Sequence, residues 1–125
     1  MYFNSMNKKI RYFFWTAILF LCVELIARMF DFYAKYTYYD DISHLLFGFS
    51  LYSALKLLRN FNVNIILIIY TFIALFWELL EKIGDKLFEQ PTYLLDYFYF
   101  DGVFDIIFGY IGIFIAHYIY QRCVK

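Results

Sequence analysis

The chain has 125 residues, equal numbers of acidic and basic side chains, and 64% hydrophobic residues, among them 17 Phe and 14 Tyr. A soluble domain this short could not hide so much apolar surface, because small proteins bury a smaller share of their area. Nucleic acid is excluded as a partner, since the basic residues are few and sit at the rims of apolar stretches without forming a groove. A membrane protein remains.

Four stretches approach the roughly 20 residues that a helix needs to cross a bilayer: 10–30, 42–58, 63–83 and 102–120. Their continuous apolar runs predict helices rather than the short alternating strands of a barrel. The first stretch is too long for a signal peptide, and Glu24 and Arg28 stand where a cleavage region would be small and neutral, so it reads as a retained helix. The connection 31–41 is rich in Tyr, including Tyr36, Tyr38 and Tyr39, rings that favour the headgroup region. The second stretch is the shortest. Gly48 within it predicts a close helix approach, and Asp41 or Asp40 is placed to cap it.

The turn 59–62 is short and makes the second and third stretches antiparallel neighbours. Stretch three ends with Glu78 and Glu81, three apart and able to share a face. The connection 84–101 holds the single Pro, Pro91, and an aromatic run, which suits a re-entrant cap or interfacial segment. Asp101 is placed to cap the fourth stretch, in which Asp105, Gly109, Gly112 and Ala116 form a small-residue face for helix packing. His117 falls some 18 Å along the helix from Asp105 and belongs to the opposite rim. Cys22 and Cys123 lie at different depths, which argues against a disulfide and against a Cys-rich metal site.

Charge sets the orientation. Lys8, Lys9, Arg11, Lys56, Arg59, Arg122 and Lys125, seven of the eleven basic residues, flank one side of the four stretches. The positive-inside rule then puts both termini and the 59–62 turn in the cytoplasm of a multi-pass cell-membrane protein. None of the eleven acidic residues falls in those inner segments. The expected fold is therefore all-α: a single domain, 1–125, forming a four-helix transmembrane bundle with a polar cluster near the extracytoplasmic side.

That cluster is the functional signal. Glu24 and Arg28, Asp40 and His44, Glu78 and Glu81, and Asp101 and Asp105 all reach the outer layer, each pair at helical spacing on its own stretch. Carboxylates gathered there need counter-ions or shared protons. Three solutions stay open. Asp40, His44, Glu78 and Asp105 are the candidate ligands of a divalent metal, a donor set suited to Zn, Fe or Mn. Arg28 and Lys82 could instead pair with Glu24, Glu78 or Glu81 in a structural network. Protonated acids could otherwise form a relay or polar pocket.

From these residues the chain resembles the VanZ-like group of small bacterial and archaeal membrane proteins and the related YjdF-type inner-membrane proteins. The family's Asp, three residues, then His at the start of a span is matched by Asp40 and His44, followed by Gly48. Its Glu with a second Glu or Gln three later is matched by Glu78 and Glu81, and its final Asp pair by Asp101 and Asp105 with Gly109 and Gly112 behind. The chain departs in having Glu81 where Gln is usual and Gly109 where an Asn often follows the last Asp. It is also shorter than YjdF-type proteins. The resemblance implies an integral membrane protein connected with the cell envelope or the response to glycopeptides, with the polar site as a family feature.

Three functional expectations follow. In the first, the metal site acts from the outer side on a lipid or envelope precursor, with Glu81 as base or further ligand and Arg28 paired to Glu24 or to a lipid phosphate. Glu81 and Arg28 are thus the candidate catalytic residues, although no nucleophile motif marks the chain as an enzyme. In the second, Glu78, Glu81 and Asp105 serve as the relay of an ion-coupled transporter. Four short helices leave little room for alternating access, so that reading calls for a homodimer. A structural or accessory role is the third alternative.

Overall fold

The computed structural model describes residues 2–36, 38–87 and 95–124, and all regular structure among them is helical. Four long helices contain the four apolar stretches, except Phe30 at the end of the first: α1 (Tyr2–Met29), α3 (Tyr39–Arg59), α4 (Val63–Leu87) and α5 (Leu95–Cys123), with the one-turn α2 (Phe32–Lys35) between the first two. The helices outrun the predicted stretches at most of their ends, since helical backbone hydrogen bonding continues into the flanking residues. The expected caps consequently move. Asp101 lies inside α5 and not at its start, while Asp40 and Asp41 lie in the first turn of α3, whose N-cap is Tyr38. In that first turn their charges still face the positive end of the helix dipole. The predicted 84–101 connection is shorter than expected, since α4 runs to Leu87 and α5 starts at Leu95; Pro91 lies outside the described residues.

The turn between α3 and α4 is built by two asparagines. Asn60 ends α3 in the left-handed region (φ 52°) and donates its N–H to the Lys56 carbonyl at 3.2 Å. Asn tolerates that conformation better than most residues. Asn62 then caps α4, its Oδ1 accepting the Ile65 N–H at 2.9 Å. At the other end, Phe32 stacks on Phe30 and meets Tyr36 and Tyr39 at 5.5 Å, folding the 31–39 connection into an aromatic cluster.

Side-chain pairings fix the topology. Tyr12 reaches Ala116 and Tyr120, Thr16 meets Ser53, and Ser43 meets Glu24, so α1 runs antiparallel to both α3 and α5. Tyr70 meets Gly109 and Glu78, two turns further along α4, meets Gly102, so α4 runs antiparallel to α5 as well. Helices α3 and α5 therefore run parallel, and they share the most extensive interface of the bundle. The start of α1, the α3–α4 turn and the end of α5 lie at one end, where the Lys56 ammonium stands over the Tyr52 and Tyr120 rings.

Among the described residues, α1, α4 and α5 contain stretches long and apolar enough to cross a membrane, Met6–Met29, Val63–Gly84 and Gly102–Cys123. Their outer faces present large apolar side chains such as Trp15, Leu21, Phe72, Phe76 and Phe114. Helix α3 falls below that level of hydropathy because it carries Ser43, Ser50, Ser53 and Lys56. Its position accounts for this: from Tyr39 to Leu57 only Ile42 is exposed. Protein surrounds α3, so its hydroxyls meet partners instead of lipid. Thr16 and Ser53 share a buried 2.6 Å hydrogen bond, and Ser50 donates to the Thr16 carbonyl at 3.0 Å.

Candidate metal centre

The α3–α5 interface is where the polar residues converge. One turn in from the end of the bundle where α3 begins, the two backbones touch. A Cβ placed on Gly48 would stand 2.9 Å from the carbonyl carbon of Gly109, and one placed on Gly112 would stand 2.9 Å from that of Leu45. Glycine is required at these positions by the close approach itself. In lipid such contact through small residues drives helix association.

That approach decides the geometry one turn further out. His44 precedes Gly48 by four residues, as Asp105 precedes Gly109, so the same crossing that brings the glycines together brings His44 to Asp105. The Nε2 atom of His44 lies 3.4 Å from Asp105 Oδ2 and 3.7 Å from Asp40 Oδ1. Candidate ligand atoms of the three residues all fall within 4.8 Å of one another. Both nitrogen–oxygen distances exceed good hydrogen-bond length, about 2.7–3.2 Å. They lie close to the separation of about 3.4 Å between two ligands of a tetrahedral ion bound at about 2.1 Å. One imidazole nitrogen with carboxylate oxygens is a donor set for Zn, Mn or Fe. The residues present fit a divalent cation.

Burial is graded across the group. Asp105 has 5% of its side chain exposed, His44 16% and Asp40 43%, so the cluster is closed on the α5 side and open at Asp40. Glu78 approaches from α4. Its carboxylate lies over Gly102, where a Cβ would meet Oε2 at 2.9 Å, and Gly102 sits one turn outward from Asp105 on α5. Of the four candidate ligands, Asp40, His44 and Asp105 form the compact group, and Glu78 is held against the adjacent turn.

The other carboxylates go elsewhere. Ser43 donates a hydrogen bond to Glu24 Oε1, and the Arg28 Nε stands 3.9 Å from Glu24 Oε2 with Arg28 itself 75% exposed. Glu81 lies on the exposed flank of α4 and accepts the Trp77 indole N–H at 2.6 Å, an i,i+4 pair within one helix. The structure thus does not bring Glu81 or Arg28 into the compact group. Tyr39 donates to the Val23 carbonyl at 3.1 Å, and burial, followed by the nearby Glu24 charge, pushes its phenol above the ordinary value. His117 accepts or donates a 2.8 Å hydrogen bond with Tyr52 at the far end of the bundle, where it packs edge-on to the Tyr52 ring.

Sequence reasoning missed Ser43 and Tyr70 as neighbours of this region. Ser43 adjoins His44 in the chain, a signal that was available. Tyr70 carried none, being one aromatic residue among many in an apolar helix.

Fold and site together define an all-helical membrane protein with a histidine–carboxylate cluster between two parallel helices. No protein-family model, no curated protein and no solved structure matches the chain.

Proposed function

We propose that this protein binds a divalent metal, of the Zn, Fe or Mn kind, through Asp40, His44 and Asp105 with Glu78 as a further ligand, and acts from the outer side of the membrane on a phosphate-bearing lipid or envelope precursor. The observation that carries the metal reading is the position of His44 Nε2 between two carboxylates of different helices, at 3.4 and 3.7 Å. A bound divalent ion supplies Lewis acidity, polarising a phosphoryl oxygen or lowering the pKa of water. The protein's part is to hold Asp105 and His44 rigidly through the glycine contact and to leave Asp40 facing the side from which substrate arrives. Arg28, exposed beside Glu24, has donors in reach of the headgroup layer for a phosphate. Orientation with both termini inside rests on the basic residues gathered at one end. Kinship with the VanZ-like group is part of the same proposal and rests on the Asp40–His44, Glu78–Glu81 and Asp101–Asp105 spacings.

Elemental analysis of detergent-purified protein tests the metal reading. About one equivalent is expected for wild type and a loss of most of it for His44→Ala and Asp105→Asn. Metal-free wild type after reconstitution with Zn, Mn and Fe would end it. The same geometry supports one other reading, a metal-free triad in which His44 pairs with Asp40 and Asp105. That alternative predicts a wild type devoid of metal whose stability depends on His44.

A further inference from the structure

We infer that Tyr70 is a positioning residue for the Asp105 carboxylate, a phenolic pin from α4 that fixes the rotation of α5 at the metal site; this rests on the metal reading above. Tyr70 is fully buried, and its hydroxyl donates to the backbone carbonyl of Asp105 at 3.0 Å. A helical carbonyl already serving the ladder keeps a second lone pair that such a donor can use. The ring enters α5 at Gly109. A Cβ there would stand 2.5 Å from Tyr70 Cε1 and nearer still to Cζ and the hydroxyl, so the phenol fills the space that any other residue would occupy.

The same turn of α5 is gripped from the other side, because the Gly109 backbone is what Gly48 of α3 touches. Residues 105–109 are therefore held by α3 through backbone contact and by α4 through a hydrogen bond. Sliding α5 along α3 is opposed by the glycines. Turning α5 about its own axis, which would swing Asp105 away from His44, is opposed by the phenol. Outer-shell hydrogen bonds to ligating side chains commonly change metal affinity 10- to 100-fold, and a bond that fixes the backbone of a ligand residue acts on the same geometry. The ring itself is held by Phe47 and Tyr110 at 6.2 and 5.8 Å, so removing the hydroxyl leaves the packing in place.

The test is Co(II) titration of the full chain in detergent, reading both affinity and the visible d–d absorption, for wild type, Tyr70→Phe, Gly109→Ala and Tyr110→Phe. Tyr110 is the control phenol, since it bonds Thr71 instead of Asp105. Expected are a 10- to 100-fold weaker affinity and an altered spectrum for Tyr70→Phe and for Gly109→Ala, which expels the ring, with Tyr110→Phe unchanged. Wild-type affinity and spectrum in Tyr70→Phe would overturn the inference while leaving the metal reading intact, even if Gly109→Ala were impaired. Absence of Co(II) binding by wild type would instead remove the metal reading on which it stands.

Discussion

Gly48→Ala tests whether the helix contact sets the metal site. The added Cβ would stand 2.9 Å from the Gly109 carbonyl carbon and 3.0 Å from its Cα, with the carbonyl oxygen closer again. Carbon atoms in ordinary contact lie about 3.5–4.0 Å apart, so α3 and α5 must separate by about 1 Å at that level. The obstacle is backbone on both sides, and no rotamer change relieves it. Carried one turn outward, the same displacement opens the 3.4 Å His44–Asp105 distance to about 4.4 Å. Two ligands bound at about 2.1 Å can stand no more than about 4.2 Å apart on one ion. The substitution should therefore lower metal affinity at least tenfold and cost about 1–3 kcal/mol of stability through overpacking. The assay is metal stoichiometry and titration, together with thermal unfolding in detergent. Gly84→Ala is the control, since a Cβ there meets nothing within 4 Å. Wild-type metal binding by a folded Gly48→Ala protein would refute the idea that the glycine contact holds the two ligands in range.

Gly102→Ala should fold normally, because its Cβ meets only the flexible end of Glu78, and metal titration should show weaker binding as that carboxylate is displaced. A stability gain of up to about 1 kcal/mol, from the better helix propensity of Ala, should accompany the loss. Glu81→Gln should leave metal content unchanged, since Glu81 bonds Trp77 on the exposed flank; a metal-depleted variant would put Glu81 back among the ligands. Thr16→Val removes the buried hydroxyl shared with Ser53 and should cost about 0.6–1.7 kcal/mol in unfolding experiments. The cost stays small because Ser53 retains the Phe49 and Ser50 carbonyls as acceptors.

The sequence by itself determined that this is an all-helical chain of membrane-protein composition, because hydrocarbon demands long apolar runs and internally satisfied backbone. It also put Asp40, His44 and Asp105 at one depth, since helical rise converts position in the chain into depth. Depth alone could not say which side chains face each other. Glu24, Glu78 and Glu81 share that layer with the triad, yet Glu24 takes Ser43, Glu81 takes Trp77, and Glu78 lies over Gly102. Rotation about each helix axis decides this, and it is set by packing between helices distant in the chain. Only the tertiary structure showed that α3 and α5 run parallel with Gly48 against Gly109, and that Tyr70 fits the notch this leaves. That the second stretch is the shortest was legible too, but the reason α3 can be less apolar was not: a helix shielded by α1 and α5 is free to carry the hydroxyls and charges that a lipid-facing helix is not.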